Sequence, residues 1–170
     1  MEFNTLCVIG LGYIGLPTAS VFASKGIRVT GVDTNTRIIE RLKAGEPHIF
    51  EPGLRESLLA ALQSGHLEIS SEVVPADAFI IAVPTPFYED KRADMRAVVA
   101  ASEAIVPHLR PGNLVVLEST SPPRTTVDLV APILERSGLK AGEDFLLAYS
   151  PERVLPGRIL QELVENPRVI

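Results

Sequence analysis

Tryptophan is absent from this 170-residue chain, cysteine occurs once, and aromatic residues make up only 5% of it. A lone cysteine, Cys7, excludes a disulfide framework and any metal site built from several thiolates, and it suits a reducing compartment. No apolar run approaches the roughly 20 residues that cross a bilayer. The opening Met1-Glu2-Phe3-Asn4-Thr5 lacks the basic residues that precede a signal peptide's apolar stretch. An excess of positive charge is missing too, since 16 basic against 21 acidic residues leave a net charge of −5. That balance argues against a general nucleic-acid or membrane-surface binder. The expectation is a cytoplasmic protein with neither nucleic acid nor membrane among its partners. His48, His66 and His108 are scattered and suggest no metal site.

What is present is a hydrophobic content of 46% over a length that suits one globular domain, residues 1–170. Strand-length apolar runs alternate with segments of helical period. Strands are predicted at 6–9, 27–32, 67–70, 78–83, 114–118 and 145–149, and helices at 16–25, 35–44, 54–63, 95–106 and 125–136. Gly26, Gly45, Gly65 and Gly138 stand where helices should stop. Such alternation means an α/β fold: a Rossmann-like, doubly wound, mostly parallel sheet with helices on both faces.

The first strand runs into Gly10-Leu11-Gly12-Tyr13-Ile14-Gly15, a G-x-G-x-x-G that opens a helix, and Asp33 ends the second strand 18 residues after Gly15. In that context the string reads as a dinucleotide-binding turn. Gly10 makes the tight turn, Gly12 lets the backbone approach a pyrophosphate, and Gly15 lets helix and strand pack closely. The helix N-terminus offers N–H groups and positive dipole to phosphate. Asp33 would accept the adenosine ribose hydroxyls and repel a 2′-phosphate, which predicts NAD over NADP. Arg37, four residues on, joins the candidate cofactor contacts and is the one residue nearby that could receive a 2′-phosphate. The blander alternative is turn punctuation and a strand-end cap.

Ligands in open parallel sheets bind at the carboxyl ends of the strands. There the chain has Val83-Pro84-Thr85-Pro86, Glu118-Ser119-Thr120-Ser121-Pro122-Pro123 and Ser150-Pro151-Glu152-Arg153-Val154-Leu155-Pro156-Gly157. Each alone is ordinary loop chemistry. Three on one edge beside a dinucleotide turn suggest a reaction site at the nicotinamide end.

These strings, with Gly10–Pro17, Phe50-Glu51-Pro52-Gly53-Leu54 and Pro167–Ile170, span the chain in the order found in the UDP-glucose/GDP-mannose dehydrogenases, which the sequence resembles. Pro151–Gly157 and Val83–Phe87 with Asp94-Met95 look most like the members that act on UDP-N-acetyl-D-mannosamine in bacterial surface-polysaccharide synthesis. The resemblance implies a four-electron oxidation of the sugar C6 alcohol to the acid by two NAD⁺, through a thiohemiacetal and a thioester on a cysteine. It implies NAD contacts from Tyr13, Ile14, Asp33, Thr85, Thr120 and Thr126. Thr120 and Glu152 are implied to activate water or relay protons, a role suited to a carboxylate. Glu152, Arg153, Val154, Leu155 and Gly157 are implied to touch the UDP-sugar. Glu152 read without the resemblance is a solvated loop carboxylate.

Two departures accompany the match. Arg124 stands where the family usually has glycine, a residue type that signals positive φ or close approach to cofactor. The family's nucleophilic cysteine, its lysine and asparagine, and its central and sugar-binding domains are not in these residues. Cys7, inside a strand, is read as a core residue. The 170 residues alone are therefore expected to bind NAD without turnover, the full-length enzyme being a homodimer or higher oligomer. Sibling specificities (UDP-glucose, UDP-N-acetylglucosamine, GDP-mannose) and a non-catalytic NAD-binding module are the alternatives.

Overall fold

A computed structural model describes residues 3–167 and 170; of the family-like string Pro167–Ile170, Arg168 and Val169 lie outside the described residues. Six strands, β1 (Thr5–Ile9), β2 (Arg28–Val32), β3 (Leu67–Ser70), β4 (Ala78–Ile81), β5 (Leu114–Leu117) and β6 (Leu146–Tyr149), form one sheet in the order β3-β2-β1-β4-β5-β6. Every pairing is parallel, as in Cys7 opposite Thr30 on one side and Phe79 on the other. The order reverses at β1–β4, so the carboxyl ends of these two strands open the crevice where such sheets take ligands.

Alternation along the central strands fills both faces. Leu6, Val8, Ala78 and Ile80 face one way and pack with α1 (Gly15–Ser24) and α3 (Leu54–Gln63) through Leu16, Ala19, Leu54 and Leu58. Ile39 and Leu42 of α2 (Thr36–Lys43) join that layer. Cys7, Ile9, Phe79 and Ile81 face the other way, against Val98 and Ile105 of α4 (Arg96–Ile105) and Leu134 of α5 (Ala131–Leu134). Cys7 is wholly buried, and burial pushes its thiol up to about 11. The sheet's amino end is fastened by Asp77, whose carboxylate accepts the N–H groups of Asn4 (2.9 Å) and Thr5 (2.8 Å). With the Thr5 hydroxyl, these donors hold its pKa below the ordinary carboxylate value.

Apart from one-residue shifts at element ends, the predicted elements recur with three differences. β4 ends at Ile81, two residues early, because Pro84 disfavours continuation and the carbonyl of Val83 instead accepts the Ser119 hydroxyl. The helix predicted over 125–136 is composite. Its first part, Thr126–Val130, is a π-type stretch, and a 3₁₀ turn at Glu135–Ser137 closes it. Pro132 lacks the N–H that would bond four residues back, and the Ala131 N–H reaches Thr126 five residues back. Finally, a short helix α6 (Ile159–Glu165) follows the last loop, where the sequence reading placed none.

Candidate functional site

The glycines of the turn after β1 do three different jobs. Gly10 has φ +93°, and a Cβ there would lie 2.6 Å from the Ala82 carbonyl oxygen at the end of β4. A Cβ on Gly15 would lie 1.8 Å from the Gly10 carbonyl oxygen, so only glycine lets α1 start so close to β1. A Cβ on Gly12 would meet nothing within 4 Å. Its space is open, as a backbone approached by a ligand requires. Ile14 caps α1 with no side-chain hydrogen bond, and the first turn carries no acid to neutralise the dipole. The residues therefore fit a pyrophosphate at this turn, with Tyr13 half exposed beside it.

Asp33 closes the same corner. Its carboxylate accepts the N–H of Leu11 at 3.1 Å and of Asn35 at 2.9 Å. Asn35 in turn caps α2 by accepting the Arg37 N–H at 3.1 Å, which leaves the Arg37 side chain exposed on the first turn. His48, from the loop before α3, lies near enough to feel the charge of Asp33. Burial dominates, however, and lowers its pKa, and its Nδ1 has no hydrogen-bond partner.

Hydrogen bonds tie the loops after β4 and β5 to each other and to the end of β6. The Thr85 hydroxyl donates to the Thr120 carbonyl at 2.6 Å. Ser119 donates to Val83 O at 2.8 Å and Ile81 O at 3.2 Å, and the Tyr149 hydroxyl accepts the Ser121 N–H at 3.4 Å. Thr120 is thus held by its backbone with its side chain exposed, while Thr126 is half buried at the start of the π-type stretch. Arg124 adopts φ +70°, the left-handed conformation that glycine would favour, and its guanidinium forks onto Asp128 at 2.8 and 2.7 Å.

Beyond β6, the Glu152 side chain is half buried and accepts the Arg153 N–H at 2.6 Å. Arg153, Leu155 and Gly157 are exposed and Val154 is half buried. Glu162 accepts the Leu155 N–H at 2.8 Å, Glu51 accepts the Gly157 N–H at 2.8 Å, and Asn166 donates to Arg153 O at 2.9 Å. Sequence reasoning missed Ser119, Tyr149 and Glu51 as individual residues. Ser119 and Glu51 lie inside strings that the sequence marks only as a whole, whereas Tyr149 reads as strand and carries no signal. Among the described residues, no group of three or more His, Cys, Asp or Glu could hold a metal ion. No helix among them is long and apolar enough to cross a membrane.

Comparison with known proteins agrees with this fold. The family model for the NAD-binding domain of UDP-glucose/GDP-mannose dehydrogenases matches residues 4–170. The chain is 50% identical over 177 aligned positions to an NDP-N-acetyl-D-galactosaminuronic acid dehydrogenase of Ralstonia solanacearum, with 100% of this chain and 42% of that protein covered. It is 48% identical to the UDP-N-acetyl-D-mannosamine dehydrogenase of Escherichia coli K12, with the same coverage. Among solved structures, the UDP-N-acetyl-mannosamine dehydrogenase Cap5O of Staphylococcus aureus superposes with a TM-score of 0.93 at 48% identity, over 96% of this chain and 40% of that one. GDP-mannose dehydrogenase of Pseudomonas aeruginosa gives 0.90 at 29% identity, over 95% and 39%. The chain thus spans about two-fifths of the length of these relatives.

Proposed function

The chain belongs to the UDP-glucose/GDP-mannose dehydrogenase family and carries its NAD-binding domain, and from that premise we propose that the complete protein oxidises UDP-N-acetyl-D-mannosamine to the uronate with NAD⁺. The observation that carries this reading is the juxtaposition at the carboxyl edge of the sheet. The Gly10–Gly15 turn, the Thr85–Thr120 pair and the Glu152–Gly157 loop all leave strands at that edge, with Asp33 at its adenosine end. NAD supplies the hydride acceptor when bound. Asp33 orients the ribose, Gly12 leaves room for the pyrophosphate, and Thr85, Thr120 and Thr126 line the nicotinamide side. Glu152 acts on water or relays protons. The Arg153–Gly157 segment holds the nucleotide sugar. The nucleophilic thiol comes from outside these residues, because Cys7 is sealed in the core.

A second specificity has its own support: the Ralstonia relative, named for N-acetylgalactosaminuronic acid, is as similar as those named for N-acetylmannosamine. Steady-state kinetics of the complete protein with the two UDP-N-acetylhexosamines separate them. A kcat/KM at least about tenfold higher for the mannosamine nucleotide supports the proposal, and the reverse preference replaces it with the sibling. Calorimetric titration of the 170 residues with NAD⁺ and NADP⁺ tests the cofactor half directly.

A further inference from the structure

The loop assigned to the nucleotide sugar has little secondary structure of its own, so something else must fix its shape. Glu51 sits in the Phe50–Leu54 turn, more than a hundred residues earlier, and is buried at 6% exposure. One carboxylate oxygen accepts the Gly157 N–H at 2.8 Å and the other accepts the Ile159 N–H at 2.7 Å. Gly157 itself has φ +92°, a conformation that favours glycine and marks the end of the loop. Two residues on, Ile159 is sealed in the core, and Leu160 packs on the cluster that holds Leu54 and Leu58 of α3. The Glu51 backbone is fixed in the same place, its carbonyl accepting the Leu54 N–H at 3.1 Å.

We propose that Glu51 is the positioning residue of the Glu152–Gly157 loop: its buried carboxylate, bonded to Gly157 and Ile159, anchors the loop to the amino end of α3 in the conformation that receives the nucleotide sugar. The inference rests on the reading of that loop as the sugar-binding segment. A buried carboxylate is expensive to desolvate, and two charge-assisted bonds from backbone donors offset that cost. A carboxylate is required for both bonds, because an amide at this position presents one acceptor and turns a donor toward the second N–H. Glu162 closes the loop from the other side through Leu155, so Glu51 sets where the loop ends and Glu162 sets its curvature.

The test is Glu51→Gln, which keeps shape and volume. Hydrogen exchange on the 170-residue chain reads the Gly157 and Ile159 amides, and both should lose about tenfold or more in protection while β1 and β4 amides keep theirs. Unchanged protection at both overturns the anchor whatever the substrate is. In the complete protein, kcat/KM for the nucleotide sugar should fall about tenfold, because the loop carries both the sugar contacts and Glu152, while KM for NAD⁺ stays within about twofold. Equal losses in the NAD⁺ and sugar parameters would mean a general structural role and overturn the positioning role. If the wild type turns over no nucleotide sugar, the functional reading fails separately, and the exchange experiment still decides the anchor. Glu51→Asp, which retains both acceptors on a shorter arm, should recover part of the protection that Glu51→Gln loses; no recovery would count against the charge-assisted pair.

Discussion

The carboxylate of Asp33 accepts the backbone N–H of Leu11 at 3.1 Å, locking the end of β2 to the glycine turn after β1. The second oxygen is engaged by Asn35 at 2.9 Å, so the group is fixed in orientation while only partly buried. In the proposed cofactor role, a carboxylate held this way meets a ribose diol without rearrangement, which is how preorganisation adds affinity. Asp33→Asn replaces one acceptor by a donor. NAD⁺ affinity should fall about tenfold, and discrimination against NADP⁺ should narrow because the charge that repels a 2′-phosphate is gone and Arg37 remains close by. Calorimetry with both cofactors checks this. Unaltered discrimination would remove Asp33 from cofactor choice.

Gly12 and Gly15 should respond to alanine in opposite ways. At Gly15 the added Cβ meets the Gly10 carbonyl oxygen at 1.8 Å, which neither backbone can relieve without moving α1. Gly15→Ala should destabilise the fold by about 3 kcal/mol or more, visible as a lower urea midpoint. At Gly12 the space is open. Gly12→Ala should change stability by less than about 1 kcal/mol and weaken NAD⁺ binding at least about tenfold by occupying the phosphate's approach. Loss of stability without loss of binding in Gly12→Ala would contradict that assignment.

The same contrast explains what was legible in the sequence. The six strands are legible because each is a short apolar run or, as in Leu67-Glu68-Ile69-Ser70, an apolar–polar alternation between turn residues, and the glycine turn is legible because its spacing is dictated by local sterics. Side-chain bonds between distant segments leave no periodic trace. Tyr149 meeting Ser121 and Ser119 meeting Val83 are products of the sheet order, which brings the ends of β4, β5 and β6 together, whereas Glu51 meets Gly157 where Leu160 packs on the α3 layer. Helix α6 escaped because seven residues are too few to establish a helical period. The π-type start of the helix before Ala131 depends on Pro132, whose effect lies one turn upstream of where it is written.

Arg124 tests how far side chains can compensate for backbone conformation. Its φ of +70° is the left-handed region that L residues other than asparagine and aspartate seldom adopt, yet its guanidinium forks onto the exposed Asp128. Exposed ion pairs contribute little, so the backbone term should win. Arg124→Gly should raise Tm by a few degrees and leave NAD⁺ affinity unchanged, whereas Arg124→Ala should lower Tm, keeping the strain and losing the pair. Calorimetric scans of the three proteins decide it. A fall in Tm for Arg124→Gly would mean that the Asp128 pair outweighs the conformational strain.

Cys7 supplies a pH signature on the alkaline side. Burial raises its pKa from 9.0 to about 11, so the folded state favours the neutral thiol more than the unfolded state does. Here the folded value lies above the unfolded one. The associated stability is therefore complete below pH 9 and is withdrawn as pH rises from there toward 11, by at most about 2–3 kcal/mol. Urea midpoints measured from pH 7 to 11 should be level at first and then decline. Cys7→Ala, which removes the titrating group, should show a shallower decline. In the native chain at pH 8 the thiol should react with an aromatic disulfide reagent only at the rate of global opening, and fully once urea unfolds the protein. A thiol that reacts within the mixing time in native buffer would place Cys7 outside the core and reopen it as a candidate nucleophile.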